Sequence, residues 1–67
     1  MMAKGIVRWF NKKRGYGFIE DESGQSIYVN RFDIKSDGYM TLIQGDHVWF
    51  ESQKSDRGAS AKNVSKC

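Results

Sequence analysis

Two alternating runs lie one turn apart in this chain, Tyr16-Gly17-Phe18-Ile19-Glu20 and Ser26-Ile27-Tyr28-Val29-Asn30, with Asp21-Glu22-Ser23-Gly24-Gln25 between them. Side chains two apart in a strand share a face. The pattern therefore predicts a hairpin whose first strand sets Tyr16 and Phe18 against Gly15, Gly17 and Ile19, and whose second sets Ile27 and Val29 against Tyr28 and Asn30. A barrel can hold only one of these sets inside. Branched aliphatic side chains fill a narrow interior without needing hydrogen-bond partners. Ile19, Ile27 and Val29 are thus the expected core, joined by Val48, Phe50 and Val64 from downstream. Tyr16, Phe18 and Tyr28 are then left in water. The glycines flanking Tyr16 add no inward bulk and let the strand coil.

The rest of the chain reads the same way. Ile6-Val7-Arg8-Trp9-Phe10 is a β-branched and aromatic run stopped by the polar turn Asn11-Lys12-Lys13-Arg14-Gly15. After the hairpin, residues 31–44 form a long polar connection with one helical turn near Asp33. Two further strands follow, at 45–52 and 59–64, separated by a turn. Five short strands with one long excursion after the third predict an all-β, five-stranded antiparallel Greek-key barrel formed by residues 1–67 as one domain.

A chain of 67 residues has a small core, burying only about 60% of the surface its unfolded form exposes. Such domains often rely on disulfides, metals or partner subunits. Here the one cysteine, Cys67, has no internal partner, and with the one histidine, His47, it makes no metal cage, so no cofactor is expected. No apolar run approaches the ~20 residues that span a bilayer, and Met1 to Gly5 contain no signal-peptide segment, so a cytoplasmic location without membrane contact is expected.

Three outward aromatics on adjacent strands, with Trp9 joining through a bulge, make an exposed apolar patch of the kind that marks a binding surface. The basic excess lies in the same part of the chain. Residues 1–31 carry Lys4, Arg8, Lys12, Lys13, Arg14 and Arg31 against Glu20, Asp21 and Glu22, whereas acids and bases balance in the remainder. Lys4, Arg8, Lys12, Lys13 and Arg14 are expected to rim the rings. Aromatic platforms in a positive field suit single-stranded RNA or DNA, because every base has a π-face and every phosphate needs a cation. Ordinary cross-strand pairing or a dimer interface is the competing explanation of the same rings.

The ordered set of motifs resembles the bacterial cold-shock protein family over essentially the whole chain. Gly5-Ile6-Val7-Arg8-Trp9-Phe10-Asn11 is similar to the family's opening strand and Arg14-Gly15-Tyr16-Gly17-Phe18-Ile19 to its first ribonucleoprotein motif. Ile27-Tyr28-Val29-Asn30 is similar to the start of the second, and Asp37-Gly38-Tyr39 to the loop aromatic segment. The resemblance implies an OB-type barrel, binding of about six or seven nucleotides, and an RNA-chaperone or antitermination role. It implies base stacking on Trp9, Tyr16, Phe18, Tyr28 and Tyr39, with Phe10 half buried at the edge of the set, and phosphate or base-edge contacts from Arg8, Asn11, Arg14 and Arg57.

The chain departs from the family's His-Phe-Ser-Ala after the third strand, having Asn30-Arg31-Phe32-Asp33. An amide and a cation then stand in the binding face, and Arg31 can stack its guanidinium and pair with phosphate. Phe32 either swings in to fill the gap or packs under the loop. Ala59 in place of proline is expected to loosen the last turn, and Ser52 in place of an aliphatic to weaken the core. Trp49 faces outward, as a lone surface ring or a self-association site.

No catalytic residue or small-molecule substrate is expected, since no nucleophile pair, metal set or carboxylate dyad shares a face. Gly15-Tyr16-Gly17 is too short for a phosphate-cradling loop. The rival to nucleic-acid binding is a protein-interaction or self-association module acting through Trp49, Phe32 and the outward rings. The long connection also leaves open a monomer or a strand-exchanged dimer.

Overall fold

The computed structural model describes residues 2–35, 41–56 and 58–67. Strands β1 (Met2–Asn11), β2 (Tyr16–Asp21), β3 (Ser26–Asn30), β4 (His47–Ser55) and β5 (Gly58–Lys66) close into a barrel in the order β1-β2-β3-β5-β4. A 3₁₀ turn, Arg31–Asp33, follows β3 at the place where the sequence suggested one helical turn. The all-β, five-stranded expectation holds, with one qualification on strand direction. Neighbours pair antiparallel except at the closing seam, where β3 meets β5 in parallel at Tyr28↔Ser60 and Ile34 bridges Val64 in the same sense.

β1 begins four residues earlier than the apolar run suggests, because Met2 to Ile6 pair with β4 (Met2↔Glu51 through Ile6↔His47), while Gly5 to Asn11 pair with β2. One strand thus serves two neighbours. Gly5 lies where they converge: a Cβ there would come 2.8 Å from the Glu20 carbonyl oxygen and 3.0 Å from the Phe50 ring. Only a residue without a side chain fits such a crossing.

The interior is the aliphatic set. Ile19, Ile27, Val29, Val48, Phe50 and Val64 are buried, together with Val7, Ile34, Leu42, Ala59 and Ala61. Ser52 is not among them. It pairs with Ala61 but is exposed, as is all of β4 from Glu51 to Ser55, so the expected weakening of the core by Ser52 does not apply. The β4–β5 ladder shifts by one residue between Trp49↔Ser65 and Glu51↔Lys62, where Phe50 faces both Asn63 and Val64 of β5, and Asn63 takes a left-handed φ of 52° at that bulge. Asparagine tolerates that conformation.

Candidate nucleic-acid interface

The turn of Trp9 to the outside follows from a bulge. Val7 pairs with Ile19, but Trp9 pairs with Phe18, so one extra residue of β1, Arg8, interrupts the ladder. Val7 points inward, Arg8 and Trp9 both face water, and Phe10 turns back to pack against the core, half-buried as expected. Bulges re-aim side chains in this way. Gly17 lets β2 approach at that point: a Cβ on it would collide with the Trp9 carbonyl oxygen and lie 2.7 Å from Phe10 Cα.

Four rings meet on the outer surface of β1, β2 and β3. Trp9 lies 5.5 Å from Tyr16, edge to face, and 5.6 Å from Phe18. Tyr28 stacks beside Tyr16 at 6.1 Å and meets Phe18 edge to face at 5.9 Å. Trp9 is 42% and Tyr28 37% exposed, and Tyr16 and Phe18 are half-buried between them. No strand or turn among the described residues covers the rings. Their spacing exceeds the 3.4 Å rise between stacked bases in a duplex strand. Consecutive bases meeting consecutive rings must therefore be splayed apart, which a flexible single strand allows.

The cations divide into bound and free. Arg8 contacts Glu20 at 3.4 Å and the Ser26 hydroxyl at 3.4 Å, which lays it beside the Phe18–Tyr28 row. Lys12, Lys13 and Arg14 stand exposed in the turn between β1 and β2, and no ion pair involves them among the described residues. Lys4 does not join this rim. Its Nζ lies 4.9 Å over the ring of Trp49, its cross-strand partner on the β1–β4 surface.

Three polar residues assigned to the interface are engaged by the backbone around it. The Asn11 side-chain oxygen accepts the Arg14 N–H at 3.0 Å and so holds the basic turn. Asn30 caps the 3₁₀ turn: its side-chain oxygen accepts the Phe32 N–H at 3.1 Å while Asp33 accepts the Asn30 N–H at 3.3 Å. Its amide nitrogen donates to the Tyr28 hydroxyl at 3.3 Å. Arg31 donates from Nη2 to the Lys13 carbonyl at 3.2 Å and lies across Gly15, filling the space a Cβ there would need. Arg31 is half-buried against the turn, and its guanidinium keeps donors beyond the one engaged. Tyr39 and Arg57 lie outside the described residues.

Phe32 takes neither setting expected of it. Its side chain is 80% exposed, at the edge of a groove of about 770 Å³ that Phe18 and Tyr28 bound on the other side. Ser60 and Lys62, which also line this groove, escaped the sequence reading. The period-two spacing of Gly58, Ser60 and Lys62 along β5 was the available signal.

The profile of the 'Cold-shock' DNA-binding domain family matches residues 3–67. Among known proteins, the chain is 46% identical over 63 residues to cold shock protein 1 of Lactiplantibacillus plantarum, covering 94% of this chain and 96% of that protein. It is 45% identical over 65 residues to cold shock protein CspC of Bacillus subtilis and, equally, to CspB of Bacillus caldolyticus, covering 97% of this chain and 98% of each. Of solved structures, the Drosophila Unr CSD456 chain superposes with a TM-score of 0.79 at 14% identity, over all of this chain and 27% of that one, which establishes likeness of fold.

Proposed function

The chain belongs to the cold-shock domain family, whose members bind nucleic acid, and on that footing we propose that it binds single-stranded RNA or DNA by stacking bases on Trp9, Tyr16, Phe18 and Tyr28, acting as an RNA chaperone or antiterminator. The observation that carries this reading is the four-ring surface, left uncovered among the described residues and edged by Arg8 on one side and the Lys12–Lys13–Arg14 turn on the other. Each base gains about 1–3 kcal/mol on such a ring. A strand held splayed over the rings cannot pair with itself, which is the physical content of chaperone activity.

The test is tryptophan emission. Trp49→Phe leaves Trp9 as the sole tryptophan emitter, since the chain has two tryptophans, and excitation at the red edge of the tryptophan band leaves its three tyrosines dark. Titration with a seven-residue oligothymidylate or oligouridylate is expected to quench it with a saturating isotherm. Emission indifferent to both oligomers would overturn the reading and favour the protein-interaction module.

A further inference from the structure

We propose that the groove between Tyr28 and Phe32 is an additional nucleotide subsite, in which a base stacks on Phe32 and the backbone passes Ser60 and Lys62; this rests on the reading of the four-ring surface given above. Phe32 is the most exposed large apolar side chain among the described residues, at 80%. Such a ring is usually mobile, but its backbone is fixed here from two directions. The Asn30 side chain accepts the Phe32 N–H at 3.1 Å, and Asp33 both accepts the Asn30 N–H at 3.3 Å and holds Lys62 of β5 at 3.0 Å. The 3₁₀ turn is thereby tied to β3 on one side and β5 on the other.

Asn30 also donates to the Tyr28 hydroxyl at 3.3 Å, so one side chain links both walls of the groove. The separation of the walls is set before any ligand arrives, which reduces the ordering entropy that binding must overcome. Gly58, Ala59 and Ser60 line the groove with nothing larger than a hydroxymethyl group, so a planar ring can enter beside Phe32. The Lys62 ammonium, with three donors and one engaged by Asp33, stands ready for an anion. An aromatic wall, small side chains and a lysine that is held by the groove's own Asp33 yet keeps donors to spare describe a nucleotide, with its ring, hydrogen-bonding edges and phosphate, better than an apolar peptide side chain. Phe18 and Tyr28 line the groove and also belong to the four-ring surface, so a strand leaving Tyr28 enters it directly.

The experiment compares Phe32→Ala and Phe32→Tyr with the parent, all in the Trp49→Phe background, using oligothymidylates of four and seven residues and Trp9 emission. The four-residue oligomer can be satisfied by the four rings alone, whereas the seven-residue one must use surface beyond them. Phe32→Ala is expected to weaken the longer oligomer about 5- to 150-fold, the range for one lost stack, and the shorter one by less than about twofold. Phe32→Tyr is expected to bind both like the parent. Because the lost group is uncharged, the defect should be equal at 50 and 200 mM salt. A heptamer affinity unchanged in Phe32→Ala, with the parent still quenched, overturns the subsite and leaves the four-ring reading standing. Equal losses for both oligomers also overturn it, by showing that Phe32 only props the neighbouring rings. Absence of quenching in the parent sinks both.

Discussion

Arg31 shows how far a single position can be read from its type. Its charge was legible and the family resemblance set it in the expected binding face, but its posture was not legible, because the partner is a backbone carbonyl eighteen residues earlier and a bare Cα at Gly15. With one Nη2 donor on Lys13 and the others available, it fixes the basic turn while adding a positive charge next to the rings. Arg31→Phe is therefore expected to flatten the dependence of log Kobs on log salt by about 0.7, the contribution of one phosphate contact to a single strand. Titrations at four salt concentrations decide it, and an unchanged slope rules out a phosphate role for Arg31. Asn11 and Asn30 carry a related lesson. The turn composition placed Asn11 at the surface and alternation placed Asn30 there, but short amides bond readily to nearby backbone: Asn11 closes its own turn and Asn30 caps the 3₁₀ turn.

Among elements, the hairpin of β2 and β3 was legible almost residue for residue, since strong alternation and a glycine-containing turn are local signals. The outer ends of β1, β4 and β5 were not. Met2, Gln53 and Lys66 have no strand signature of their own and are extended because a neighbouring strand pairs with them. The β2–β3 turn carries a titratable latch. Asp21 accepts the Ser23 hydroxyl at 2.7 Å and the Ser23 and Gln25 N–H groups at 2.9 Å each. The Ser23 hydroxyl first, and then the Gln25 amide, hold its pKa below the ordinary aspartate value. A lowered folded-state pKa means that the latch is at full strength above about pH 3.9 and is lost as pH falls through the lower, folded value. The Ser23 and Gln25 amide proton shifts should titrate together with a midpoint below 3.9. Asp21→Asn should abolish that titration, and a midpoint above 3.9 would contradict the geometry.

At the scale of the whole molecule, the division between an aliphatic inside and an aromatic outside was visible in two strands and extends around the barrel. Val7, Ile34, Leu42, Ala59 and Ala61 complete the core without having been anticipated. Ala59 and Ala61 look neutral in sequence, and Ile34 and Leu42 lie in a connection whose path depends on the closed barrel. So small an interior leaves little reserve. At about 0.05–0.15 kcal/mol per residue, 67 residues give about 3–10 kcal/mol, and Phe50, its largest fully buried side chain, is worth about 3–5 kcal/mol against alanine. Phe50→Ala is expected to remove at least 3 kcal/mol in urea unfolding followed by circular dichroism; a loss under 1 kcal/mol would show that the cavity collapses. The closing seam between β3 and β5 rests on one parallel register pair and the Ile34 bridge, and the Phe32 groove lies along it. A strand seated there would span the barrel's thinnest join, and at a hundredfold excess over Kd any guest of the folded barrel contributes about 2.7 kcal/mol, roughly a quarter to four-fifths of what the empty barrel possesses.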